Sequence, residues 1–230
     1  MNAVDARRNT IAVYRPTSGV EKFHWGGTLL SVRRWLSYAA VVVLTTSAAL
    51  TFNAAGAQAF NLLGCKYNTS GNSLKWKDYT TSNAYRNPAE FSIIAWNDSS
   101  SQVQFTEVTS GANLGIADGN FGNLSFWGVL LDASGVDPNN DNPLYKCSNG
   151  HWTETNTAWW NSYHADSVPG AAKQSIMVHE IGHALGLAHR LTSGQACSNV
   201  TMMDSFNEMY VRCGWNTPRL DDINGVQTLY

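Results

Sequence analysis

The chain lacks the features that mark membrane-spanning and nucleic-acid-binding proteins. Only 14% of its 230 residues are charged, and the formal net charge is −2. No Lys/Arg cluster interrupts the region from residue 60 onward, which argues against a nucleic-acid partner. No apolar run reaches the roughly 20 residues that a spanning helix needs. The longest, "WLSYAAVVVLTTSAAL" (35–50), is shorter than that and is diluted by Ser and Thr. Cysteine is limited to four residues and no CxxC pair occurs, so a thiolate metal cluster is disfavoured. There is no internal repeat and no Pro-rich linker, which argues against a string of modules.

What is present begins with a leader. Arg33 and Arg34 precede the apolar run, which ends in "NAAGAQAF"; there Ala57-Gln58-Ala59 offers a small-x-small cleavage site before Phe60. A basic flank, a short apolar core and such a site predict a secretory signal peptide over 1–59, with a long N-terminal region. A membrane anchor is the competing reading; the long N-terminal region admits a later start codon, and the arginine pair a twin-arginine route. Cleavage would leave a single domain over 60–230, secreted and without stable membrane association. Six of the fifteen basic and two of the seventeen acidic residues lie in the leader, so this domain carries about −6. Cys65, Cys147, Cys197 and Cys213 all remain in it, and in an exported protein they predict two disulfides with three possible pairings.

Periodicity gives a coarse order of elements. "SLKWKDYT" (73–80) and "QVQFTEV" (102–108) alternate as strands, and "ANLGIAD" (112–118) and the apolar "LSFWGVLLD" (124–132) extend the set. "NPAEFSIIAWNDSS" (87–100) predicts a helix with Pro88 near its start and Phe91, Ile94 and Trp96 on its apolar side. "HWTETNTAWWNSYH" (151–164) alternates again, and a further helix starts with Asp166 or Ser167 as N-cap and Pro169 in its first turn.

That helix carries "VHEIGHALGLAHR" (178–190), with three of the six histidines within eleven residues. Residues four apart share a helix face, so His179 and His183 can aim two imidazoles at one ion. Glu180, one step round, reaches a water on that ion and acts as its general base. Gly186 lets the chain turn out of the helix and return His189 as a third nitrogen ligand. Three protein ligands leave one position open, as in catalytic zinc sites. Five fixed positions in HExxHxxGxxH arise by chance on the order of once in 10⁵ such chains. One zinc ion is therefore the expected cofactor.

HEIGHALGLAH resembles the zinc signature of the metzincin endopeptidases, and most of all their matrixin branch. "NVTMMDS" (199–205) is similar to the Met-turn that lies beneath the histidines in that family, with Met203 fitting the pattern better than Met202. "LDDINGVQTLY" (220–230) is similar to the closing helix of matrixin catalytic domains. The resemblance implies an α+β, zincin-like domain: a twisted, mostly parallel sheet with an antiparallel edge strand, a zinc helix and a C-terminal closing helix. It implies a secreted zinc endopeptidase whose peptide substrate lies along an edge strand, here 123–128. Phe206, Met209, Tyr210 and Trp215, within 204–219, would give the pocket an apolar wall. Because Cys197 and Cys213 flank the Met-turn, a bridge between them would close that loop and leave Cys65 with Cys147.

The sequence also departs from the family. Between Ala59 and the first strand there is no room for the inhibitory propeptide. Phe126 stands where the family's second, structural zinc has a histidine, and His151 and His164 lack the accompanying H-x-D pair, so a second zinc is not expected. The family's ammonium pairing with an aspartate of the closing helix is not expected either. One of Asp221 and Asp222 should instead accept backbone N–H groups near the Met-turn, and the other should favour the helix N-terminus or stay solvated. "DPNNDNP" (137–143) is rich in oxygen donors but lacks EF-hand spacing, so calcium is the lesser reading beside a solvated loop. Two other functions compete: a zinc hydrolase of non-peptide amides, and a carbohydrate-binding module using Trp152, Trp159 and Trp160. A monomer acting on protein or peptide substrates is the expectation.

Overall fold

A computed structural model describes residues 60–137 and 139–230; the leader predicted over 1–59 lies outside the described residues. The core of the fold is a five-stranded sheet in the order β3-β2-β4-β8-β5, built from β2 (Ser73–Asp78), β3 (Gln104–Glu107), β4 (Leu114–Gly119), β5 (Gly128–Leu131) and β8 (Asn156–Asn161). β3, β2, β4 and β8 run parallel, and β5 pairs antiparallel with β8 at one edge. This is the mostly parallel α+β sheet with an antiparallel edge strand that the sequence implied. Two strand pairs stand outside it, β1 (Asn61–Leu62) with β9 (Leu187–Ala188) and β6 (Cys147–Ser148) with β7 (His151–Trp152).

Register sorts one face of the sheet toward two helices. Trp76, Leu114 and Asn156 form one row across it, and Ile116, Ala158 and Leu130 form another. All six are buried. α1 (Asn83–Asn97) and α3 (Gly170–Ala184) pack on one another over the core. Three buried tryptophans fasten α3. The indole N–H groups of Trp160, Trp96 and Trp152 donate to the carbonyls of Lys173 (2.9 Å), Val178 (3.1 Å) and Ala184 (2.8 Å). Each side chain thus buries a large apolar area while its polar atom finds a partner on the helix. Trp152 and Trp160 are therefore core residues and offer no stacking face to a sugar.

Several boundaries differ from the sequence reading. α1 starts at Asn83, so Pro88 lies inside the helix rather than at its start. Its buried side carries Tyr85, Pro88, Ala89, Ser92, Ile93 and Trp96, while Phe91 and Ile94 are 56% and 48% exposed. A stripe anchored on Trp96 with a 3.6-residue period passes through 92, 89 and 85, and Phe91 and Ile94 fall off it. The N-cap of α3 is Pro169, not Asp166 or Ser167. Residues Ser162–Ala165 make a separate short helix, α2, and the Asp166 carboxylate accepts the Tyr85 hydroxyl. The stretch 151–164 accordingly divides into β7, β8 and α2.

Disulfides join Cys65 to Cys147 and Cys197 to Cys213. No helix among the described residues is long and apolar enough to cross a membrane. Trp96→Phe keeps a ring in the core but deletes the N–H that reaches Val178. Chemical denaturation should show a loss of about 2 kcal/mol with an unchanged denaturant slope.

Candidate metal centre and active site

α3 brings His179 and His183 to one face, with ring centroids 4.6 Å apart. The helix ends at Ala184, and Gly186 adopts φ +106°, a left-handed conformation that suits glycine. A side chain there would also meet the Cys65 carbonyl oxygen, 2.4 Å from an added Cβ. Through this turn β9 carries the chain back to His189. Its Nε2 lies 3.1 Å from the Nε2 of both His179 and His183.

The other ring nitrogens explain the convergence. His179 Nδ1 bonds to the Met202 carbonyl and His183 Nδ1 to the Leu187 carbonyl (2.8 Å). A carbonyl only accepts, so each Nδ1 carries the proton and each Nε2 presents a lone pair. Burial, then the neighbouring imidazoles, keeps both rings neutral: His179 is pushed down to about 3 and His183 well below its ordinary value. His189 is lowered by burial as well. Neutral nitrogens facing one another this closely are a donor set for a cation, and three imidazoles suit zinc. Among the described residues this is the one group of three or more His, Cys, Asp or Glu side chains close enough to share an ion.

Glu180 lies beside the histidines, 4% exposed. Burial raises its carboxyl to about 8, against the pull of a hydrogen bond from the Leu130 backbone. It fits because Gly128 has no side chain: a Cβ there would sit 2.7 Å from Glu180 Oε1 and 2.6 Å from Ile176 Cγ2. Gly182 plays the same part beneath the helix, where an added Cβ would stand 2.5 Å from Met203 Sδ. Met203 therefore packs under the turn between His179 and His183, while the adjacent Met202 supplies the carbonyl for His179.

Two buried carboxylates hold this methionine turn. Asp222, in α4 (Leu220–Leu229), accepts the backbone N–H groups of Met202 (2.9 Å) and Arg219 (2.8 Å). Burial brings its carboxyl up to about 6 despite those bonds. Asp204 accepts Thr201 N–H (2.9 Å) and Thr192 N–H (3.0 Å). Asp221 pairs with Arg190 at 3.3 Å. The Cys197–Cys213 bridge spans the same turn.

A cleft of about 640 Å³ opens over the histidines and Glu180. Residues 125–130 line it, but only Gly128 of the predicted edge 123–128 belongs to a strand, because β5 starts there. Trp127, Phe206 and Met209 line the cleft, with the Trp127 and Phe206 rings 4.7 Å apart. Tyr210 and Trp215 do not line it. Tyr210 stacks on Phe206, and Trp215 donates to the Cys197 carbonyl beneath the Arg219 guanidinium. Asn140–Pro143 and Tyr145 complete the wall, and burial together with the Glu180 charge raises the Tyr145 phenol. Sequence reasoning missed Tyr145, Gly128 and Asp204. Of these only Gly128 left a trace, since a glycine inside a strand often marks a close approach.

The remaining candidates do not join the three-histidine cluster. His151 Nδ1 contacts the Asn149 carbonyl and His164 Nε2 the Leu124 carbonyl, while Phe126 packs edge-on against Phe121 and lines the cleft. In the oxygen-rich loop, Asp137 and Asn140 accept the N–H groups of Asn139 (2.8 Å) and Asn142 (3.0 Å).

A family model described as matrixin peptidase matches residues 67–230. The chain belongs to the matrixin family. Membership implies zinc, and the three histidines form the group among the described residues with the geometry for a metal ion. Serralysin A of Dickeya chrysanthemi is 28% identical over 161 residues, covering 62% of this chain. The match takes in 32% of that relative, so the chain spans about a third of its length. Two solved structures of myroilysin are also similar. One has a TM-score of 0.40 at 14% identity, covering 72% of this chain and 95% of that one. The other scores 0.32 at 16% identity, covering 58% and 56%.

Purified protein should contain close to one zinc ion per chain by atomic absorption. His183→Ala should remove it, because two remaining imidazoles hold zinc poorly. Two tightly held ions in the wild type, one of them lost on mutating His151 or His164, would contradict this reading.

Proposed function

We propose that this matrixin is a secreted zinc endopeptidase, with 1–59 as its export leader and 60–230 as its catalytic domain. The observation that carries the reading is the convergence of three neutral Nε2 atoms beside the buried Glu180 in an open cleft. The cleft admits substrate, and the ligand set leaves a coordination position free.

His179, His183 and His189 hold the ion, which when bound polarises the scissile carbonyl and acidifies a water. Glu180 accepts the proton of the attacking water and delivers it to the leaving amine, its buried carboxyl standing beside the three histidines in the cleft. β5 orients the substrate. Among the described residues it is bonded to β8 on one side only, so its outer edge can take an extended peptide as an added strand. Trp127, Phe206 and Met209 favour an apolar or aromatic side chain next to the scissile bond. Two disulfides are compatible with export to an oxidising compartment.

Hydrolysis of casein or a fluorogenic peptide tests the reading. Glu180→Gln should retain zinc while turnover falls by about 10²–10⁴-fold, the range for losing a general base. Substantial proteolysis by a zinc-loaded Glu180→Gln protein would refute the role of Glu180. Gly128→Ala should also keep zinc, yet lower kcat by about 10²-fold by displacing the Glu180 carboxylate.

A further inference from the structure

His179 and His183 sit on a long helix fastened to the sheet, but His189 hangs on the short link 186–189. We propose that the N-terminal strand β1, through Asn61 above all, is a positioning element of the metal site that sets how tightly the ion is held. The proposal rests on the three-histidine zinc reading above.

Among the described residues β9 has a single strand partner, β1: Asn61 pairs with Ala188 and Leu62 with Leu187. Beyond this pairing, the Asn61 side-chain amide donates to the carbonyl of His189 itself at 2.9 Å. Leu63 N–H donates to the Gly186 carbonyl at 2.8 Å, at the start of the same link. Residues 61–63 therefore hold the link at both ends and along its length.

The strand serves a second ligand too. The Leu187 carbonyl, opposite Leu62, accepts His183 Nδ1 and so fixes which nitrogen of that ring faces the ion. One two-residue strand thus presents the acceptor for His183 and leads directly into His189. Leu63 continues into the cleft wall beside both rings.

β1 is itself firmly placed. An added Cβ at Gly225 of α4 would lie 3.1 Å from Phe60 Cγ and 2.6 Å from Leu187 Cδ2, so N-terminus, closing helix and β9 meet at that glycine. The disulfide at Cys65 and the bond from Lys66 Nζ to the Leu229 carbonyl anchor the following residues. Without β1, the link keeps Gly186 N–H on the His183 carbonyl (2.9 Å), the Leu187 carbonyl on His183 Nδ1 (2.8 Å) and Arg190 N–H on the Met203 carbonyl (2.8 Å), but loses the bonds at the Gly186 and His189 carbonyls. The ion would then have to order His189 as it binds, and that ordering free energy is subtracted from its affinity. Metal retention thus depends on residues that lie directly after the predicted leader boundary.

The test uses the exported protein with zinc alone as probe. Affinity is read by competition with a chelator, and Tm is measured with and without the metal. Asn61→Leu keeps the side-chain shape but cannot donate; its zinc Kd should rise about tenfold, as for loss of a partner one shell out from a metal. Its metal-free Tm should be unchanged, and the Tm rise on adding zinc should shrink. Leu62→Pro, which disrupts the strand pairing, should raise Kd further. Zinc affinities within twofold of wild type in both variants would overturn the proposal. So would a fall in the metal-free Tm with Kd unchanged, which is the mark of a purely structural role. A wild-type protein that takes up no zinc would instead refute the metal reading itself.

Discussion

Two hydrogen bonds govern the chemistry of this domain: His179 Nδ1 to the Met202 carbonyl and His183 Nδ1 to the Leu187 carbonyl. They set the tautomer of these two rings, so that both present an Nε2 lone pair toward the point that His189 Nε2 also approaches. Neither carbonyl lies on the zinc helix. Met202 is held by Asp222 of the closing helix, and Leu187 is paired with Leu62 of the first strand. On the proposed zinc reading, the two ends of the domain are bound into the coordination sphere at one remove, and the folding of those ends and metal affinity become coupled quantities.

The helix that carries the first two ligands needs an equally firm seat. It obtains one from the indoles of Trp96, Trp152 and Trp160, spaced along the helix from Lys173 to Ala184. Glycines allow the close approaches that such packing demands. Gly128 admits Glu180, Gly182 admits Met203, and Gly186 admits the Cys65 carbonyl while making the turn to His189. Each is a place where a methyl group would displace part of the site, so the cleft tolerates little change in volume there.

The histidine cluster was the most legible part of the chain, because its spacing is local. A one-turn repeat, a left-handed glycine and a returning histidine all fall within 179–189, and local geometry is what periodicity reports. The strands at 73–80 and 102–108 followed from short alternating runs, and the structure bounds them at 73–78 and 104–107; their order in the sheet left no such mark. Where reading failed, the deciding contact lay far away in the chain. Phe91 and Ile94 are outward because Trp96 reaches Val178, and the start of α3 moved because Asp166 turned to Tyr85. Tyr210 and Trp215 left the pocket because Phe206 and the Cys197 carbonyl claimed them. Asn61 gave no local signal at all, since its partner is 128 residues away.

The central claim is that three imidazoles, each coordinating through Nε2, hold one zinc with a position left for water. X-ray absorption at the zinc edge of the purified protein tests it most directly. The account predicts three imidazole nitrogens and one further oxygen at about 2.0–2.1 Å, with the outer-shell scattering of intact rings. A sulfur neighbour near 2.3 Å, or a fourth imidazole in place of the oxygen, would contradict it.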